Sequence, residues 1–203
     1  MALELVRAST WADTGVMKSH GSLTNQLLIA MPGMRDPNFS TTVTLICEHN
    51  DDGALGIIIN RPLALNLGGL FAQLHVAEPD AEAANNPVLS GGPVGTERGF
   101  VLHDDSQCFE NTLTVSDGIQ LTLSRDVIDA IAAGKGPDKA LVAVGYAGWE
   151  AGQLDGEMLA NSWLSVPATP ELVFETPFAD RWDSAARSLG IDISQMSTDA
   201  GHA

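Results

Sequence analysis

The sequence predicts an α+β fold: a single domain with a mixed, mostly antiparallel sheet that curls strongly and carries its helices outside. Three observations lead there. Residues 43–47 and 55–60 are apolar runs joined by Asn50-Asp51-Asp52-Gly53, residues that favour tight turns and positive φ. Residues 112–115 and 119–123 alternate apolar with polar around Ser116-Asp117-Gly118, a second hairpin with one wet face. Helical stripes are interspersed with the strands, but not in a regular βαβ order.

In chain order, residues 1–20 show no sustained periodicity, and residues 1–22 are expected to be a flexible extension. Met17 offers a second translation start. LLIAM at 27–31 reads as a buried strand stopped by Pro32-Gly33. Asp36-Pro37-Asn38 is a turn, because Pro37 biases Asp36 away from helix, and Phe39 is a core anchor. Ile57, Ile58 and Ile59 are consecutive and β-branched, so both faces of their strand are covered. Asn66 caps a helix whose Leu67, Leu70, Phe71 and Leu74 share a face. Gly68 and Gly69 within it imply close packing against a neighbour.

Residues 77–87 read as an exposed acidic loop. Residues 87–94 form a strand entering a Gly-Gly-Pro turn, and 99–103 form another. Ser124 caps a helix burying Val127, Ile128 and Ile131, with Gly134 just past its end. ALVAVGY at 140–146 is a central strand followed by an Ala147-Gly148 turn, and 150–161 is a helix placing Leu154 and Met158 inward. After a short strand at 163–166, Thr169-Pro170-Glu171 starts a helix with Phe178, Trp182, Ala185 and Leu189 in one stripe. Residues 191–203 are weakly patterned and are expected to be a loosely attached tail, leaving 23–190 as the domain.

Composition bounds function. Among the 203 residues, ten Lys and Arg stand against 26 Asp and Glu, a net charge of −16. Affinity for nucleic acid comes largely from neutralised phosphates, so this balance disfavours direct nucleic-acid binding, and an anionic membrane surface likewise. No apolar run approaches the ~20 residues of a membrane-spanning helix, and the first residues lack an export signal, so a cytoplasmic location is expected. Cys47, in a strand, reads as a small core hydrophobe, and Cys47 with Cys108 makes neither a disulfide framework nor a zinc signature. No metal or cofactor is expected.

The polar residues at strand ends are the site candidates. Arg61 and Arg98, beside turns, could clamp a phosphate or carboxylate near Gly91-Gly92, whose backbone N–H groups could help. The competing reading pairs Arg61 with Asp36 or Glu48 and makes Gly91-Gly92 a tight inter-strand turn. His49 and His103 end strands and could serve a metal or acid–base pair, although no HExxH spacing is present and structural hydrogen bonding competes. Gly134-Lys135-Gly136 lacks the Ser or Thr of a P-loop. Ser90 is not on a GxSxG elbow. Tyr146, Trp149 and Trp163 could line a pocket, or simply be core.

The strings LLIAMPGMRDPNFSTTVTLICEHNDDGALGIIINRP, SGGPV with RGFVLH, and GYAGWEAGQLDGEM with NSWL strongly resemble the AlgH/YqgE family of bacterial proteins, over about residues 25–190. The resemblance implies a bifurcated sheet folded toward a pseudo-barrel with flanking helices. It also implies a bacterial cytoplasmic protein, often labelled a transcriptional regulator. It supplies no catalytic residues. The matching polar positions are Asp36, Asn38, Glu48, His49, Asn60, Arg61, Arg98, His103, Gln153 and Asn161. Asn60 thereby joins Arg61, Gly91, Gly92, Arg98, His49 and His103 as a candidate ligand contact; Cys47 and Cys108 lie outside the pattern. The leading expectation is a non-enzymatic regulatory or binding protein with a protein or small-molecule partner. The alternative is an enzyme or binder of an anionic small molecule.

Overall fold

The computed structural model describes residues 21–190; residues 1–20, with the Met17 start, and the tail 191–203 lie outside the described residues. The strands are β1 Gln26–Ala30, β2 Val43–Asn50, β3 Gly53–Ile58, β4 Pro62–Asn66, β5 Pro87–Ser90, β6 Val94–His103, β7 Thr112–Ser116, β8 Ile119–Thr122, β9 Ala140–Glu150 and β10 Trp163–Pro167. The helices are α1 Leu67–Gln73, α2 Ala81–Ala84, α3 Arg125–Ala132, α4 Gln153–Leu159 and α5 Arg181–Arg187. Their order along the sheet is β10-β1-β2-β3-β9-β6-β8-β7, with β4 and β5 on a branch. The fold is thus mixed α+β, one curled, mostly antiparallel sheet forming a half-barrel.

The sheet divides at β9. One edge of β9 pairs with β6. Residues 147–150 pair antiparallel with β3, and residues 142–144 pair in parallel with β5. β3 and β5 meet where the Ile58 N–H donates to Gly91 O at 2.8 Å. Gly145, at φ +74°, bends β9 at this junction. A Cβ on Gly91 would sit 2.3 Å from Gly145 O, and one on Gly92 2.1 Å from Tyr146 C. Only glycine allows so close a backbone approach. The Gly-Gly step is therefore what lets one sheet become two lobes.

Strand alternation builds three cores. Leu27, Ile29, Val43, Leu45, Ile57, Leu89, Phe100 and Leu102 point into the curl. On the outer side of one lobe, Val88, Val101 and Val142 meet α1 and α3 through Leu70, Phe71, Val127 and Ile128. On the outer side of the other, Leu28, Ala30, Ile46, Ala147 and Trp149 are covered by Leu154 of α4 and, from the loop after β1, by Met34 and Phe39. Both faces of each lobe are buried, which is why the strands read as unbroken apolar runs. All three isoleucines at 57–59 are at most 1% exposed. Cys47 sits in the curl at a β-bulge between Ile46 and Glu48, and burial, with Glu48 beside it, pushes its thiol pKa up.

Several sequence expectations need correction. β4 was not foreseen; Pro62 can start it because proline's missing donor costs nothing at a strand's first residue. The acidic stretch 77–87 holds α2, capped by Asp80 accepting from the Glu82 and Ala83 amides, and Gly68 of α1 packs on Ala84. Ser124 occupies the N-cap position of α3 without capping; Asp126 accepts from the Val127 amide instead. Ala147-Gly148 is strand, not turn, because β3 supplies its ladder partners. The stripe after Thr169 is broken. Glu171–Glu175 forms a single π turn and α5 begins only at Arg181, leaving Phe178 ahead of it and Leu189 41% exposed beyond it. α5 is fastened by side chains. Buried Arg181 donates to Ile59 O and Thr176 O, with its guanidinium 4.4 Å over the Phe178 ring, and burial lowers its pKa to about 10. Trp182 Nε1 donates to Ala30 O at 3.0 Å.

Candidate functional site

The loop from Met31 to Thr42 is exposed at its tip, and yet its backbone is held at almost every step. Asp36 Oδ1 accepts from the Asn38 amide at 2.8 Å, and Asp36 O accepts from the Phe39 and Ser40 amides. Thr42 Oγ1 donates to Phe39 O at 2.7 Å. Arg61 donates through one amino group to Asn38 O (2.7 Å) and through the other to Ser40 O (2.9 Å). Asn60 Nδ2 donates to Thr41 O (2.9 Å), and its Oδ1 accepts from the Val43 amide (2.9 Å). Thr41, at φ +56°, occupies a region costly for a β-branched residue, and the Asn60 bonds to its carbonyl and to the Val43 amide hold it there.

Phe39 anchors the loop from below. Its ring stacks on Trp149 (centroids 6.0 Å apart) and meets Trp163 edge-on (5.5 Å). The two indoles converge on one carboxylate: Trp149 Nε1 and Trp163 Nε1 donate to Glu157 Oε2 at 3.0 and 2.8 Å. Gln153 Nε2 donates to Glu157 Oε1 at 2.9 Å, and Gln153 Oε1 accepts from the Glu150 amide. Glu157 was not singled out in the sequence. Its signal was present: Gln153 and Glu157 are four apart, on one face of a short helix between two tryptophans.

The remaining candidates lie apart from this loop in their bonding. His49 sits at the far end of β2, its Nδ1 accepting from the Leu23 amide at 3.0 Å and its Nε2 3.5 Å from Asp155. Ser22, placed by sequence in the flexible extension, donates to His49 O. His103 is fully buried, with Nδ1 2.6 Å from Asp104 O and Nε2 2.7 Å from Thr122 Oγ1. Among the described residues Arg98 reaches only its neighbour Glu97, at 3.7 Å, and its aliphatic stem lies against Gly95. Gly91 N–H donates to Val144 O within the sheet. So Asn60 and Arg61 act together, whereas Arg98, Gly91, His49 and His103 each engage other partners. Arg61 pairs with loop carbonyls, not with Asp36 or Glu48. Among the described residues no three His, Cys, Asp or Glu side chains gather as a metal site, and no helix is long and apolar enough to cross a membrane.

The fold is that of a mixed α+β half-barrel, here divided at a glycine junction and carrying a pinned loop across one lobe. The chain belongs to the AlgH-like family, whose model matches residues 27–194. It is 53% identical over 182 residues to a UPF0301 protein of Saccharophagus degradans, covering 90% of this chain and 89% of that one. A UPF0301 protein of Cupriavidus metallidurans is 51% identical, with 90% and 96% covered. The solution structure of AlgH from Pseudomonas aeruginosa superposes with a TM-score of 0.75 at 46% identity, over 93% of this chain and all of that one. DIP2367 of Corynebacterium diphtheriae, 19% identical with a TM-score of 0.66 over 85% of this chain and 90% of that one, shares the fold.

Proposed function

We propose that the protein is a non-enzymatic binding protein, acting in the cytoplasm, that recognises a protein partner through the Met31–Thr42 loop. One observation carries this reading: Asn60 and Arg61 devote three hydrogen bonds to the backbone carbonyls of an irregular, exposed segment, and Asn60 a fourth to Val43 just beyond it. A recognition loop pinned in one shape avoids the ordering cost that weakens flexible binders. The regulator label attached to the resembling family fits a protein that acts by contact. The net charge of −16 favours a partner other than nucleic acid.

The test is native mass spectrometry of the full chain recovered from its own cells. Wild type retains a protein partner. A loop variant, Arg35→Glu with Asn38→Ala, loses it, while Glu82→Lys on α2 retains it. Equal retention by both variants, or metabolite turnover by the purified protein that Arg61→Ala abolishes, overturns the reading.

A second reading, an anionic small molecule near Arg61, Arg98 and Gly91-Gly92, is favoured by Arg98 alone. Its side chain is 43% exposed beside Gly95, which packs on Tyr146. Phosphate-induced NMR shifts at residues 91–98, absent in Arg98→Gln, would support it over the first.

A further inference from the structure

The segment 21–25 crosses the open end of β2 as a strap, and residues 22–24 are tied there by three hydrogen bonds to one residue, His49. Ser22 Oγ donates to His49 O at 2.9 Å, the His49 amide donates to Thr24 Oγ1 at 2.9 Å, and the Leu23 amide donates to His49 Nδ1 at 3.0 Å. Past His49, the Asn25 amide donates to Ile46 O at 2.9 Å and starts regular pairing. Leu23 packs against the core formed by Leu28, Trp149, Leu154 and Trp163.

We infer that His49 makes this strap a proton-sensitive latch, closed when the imidazole is neutral and released when it is charged. The bond from Leu23 needs a lone pair on Nδ1, which fixes the neutral tautomer as Nε2–H, with that hydrogen toward Asp155 Oδ2 at 3.5 Å. Adding a proton fills the Nδ1 lone pair. Two N–H donors then face each other 3.0 Å apart, in a side chain only 7% exposed, with little room to turn away. The Leu23 bond is lost, and the front of the strap, residues 22–24, is left with its two hydroxyl contacts to His49, while Asn25 keeps its backbone bonds to Ile46 and Ala168.

Asp155 of α4, 57% exposed, is the carboxylate that faces the imidazole. Glu48 precedes His49 on β2, and Glu150 pairs with Gly53 of β3. Ala54, opposite on β3, and strap residues 21–25 carry no titratable side chain. The latch is independent of the loop's role in recognition: it requires only the strap, the imidazole and the core beneath Leu23.

NMR on the full chain tests it. At neutral pH the imidazole nitrogen shifts should report the Nε2–H tautomer for His49; an Nδ1–H tautomer overturns the proposal before any variant is made. Lowering the pH from about 7.5 to about 5.5 spans the usual charge change of histidine. Across it, Leu23 amide protection, corrected for intrinsic exchange, should fall about tenfold, as expected for one lost buried hydrogen bond, while Leu45 and Val142 are unchanged. His49→Asn places Oδ1 where Nδ1 stood and cannot titrate, so its Leu23 protection should not depend on pH. Equal loss of protection in His49→Asn and wild type overturns the latch.

Discussion

The two lobes of the sheet present outer faces of similar apolar character but cover them in different ways. Over Val88, Val101 and Val142 lie α1 and α3, and the contact is made by Leu70, Phe71, Val127 and Ile128. Over Leu28, Ile46, Ala147, Trp149 and Trp163 lie short α4 and an irregular loop, and the contact is made by Leu154, Phe39 and Met34. A helix satisfies its own backbone, so the first cover needs only apolar side chains. A loop does not, and the second cover is held by polar side chains: Asn60 and Arg61 on the loop carbonyls, Glu157 under two indoles. Burial alone could be achieved by the simpler arrangement. Keeping a rigid loop at the surface requires the second one, and that contrast points to the loop-covered lobe as the working face.

The comparison can be broken most forcefully at the helix-covered face. Phe71→Ala empties a fully buried position of α1 and should cost about 3–5 kcal/mol in urea unfolding. Partner retention by the folded fraction should be unchanged. Next in size, Glu157→Ala leaves two indole N–H groups without their acceptor and should cost about 2–3 kcal/mol, with a shift in tryptophan emission. Glu157→Gln, which keeps one carbonyl oxygen, should recover part of it. Smaller again, Arg61→Ala should cost about 1–2 kcal/mol globally, because both lost bonds end on partly exposed carbonyls. Its local effect should be larger, as quicker hydrogen exchange at Phe39 and Ser40. Arg61→Lys should not restore protection, since one ammonium cannot bridge Asn38 O and Ser40 O as a guanidinium does.

The sequence made the lobes legible and the junction between them obscure. Unbroken runs such as Ile57-Ile58-Ile59 announce strands covered on both faces, and turn residues at 50–53 and 116–118 mark the two hairpins. That β3 and β5 share one edge of β9 is a long-range fact. Gly91, Gly92 and Gly145 signal a close approach but do not say of what. Local propensity misled where tertiary pairing took over, at Ala147-Gly148, and where a cap was only half built, at Ser124. For the candidate site, Asn60 and Arg61 were visible as scarce polar groups at a strand end, but their acceptors are backbone carbonyls, which no residue type reveals. For Glu157 the spacing from Gln153 between two tryptophans was visible, but that both indoles converge on its carboxylate is a tertiary fact.

The smallest expected effect falls on the loop-covered lobe and has the opposite sign. Glu48 follows the β2 bulge, partly buried, and its pKa is raised chiefly by desolvation, with Asp52 adding to the rise and the Asn50 amide opposing it. A carboxyl whose folded pKa exceeds its unfolded one binds its proton more tightly in the folded state. Its contribution to stability is therefore full below the unfolded value and is lost as pH rises through the folded one. At neutral pH Glu48 is thus a small burden. Glu48→Gln, which retains an acceptor for Asn50 Nδ2, should raise the melting temperature at pH near 7. The gain over wild type should shrink steadily on acidification and vanish once the unfolded chain's carboxyl is also protonated. A gain that persists unchanged into acid would mean that Glu48 acts through packing and not through its charge.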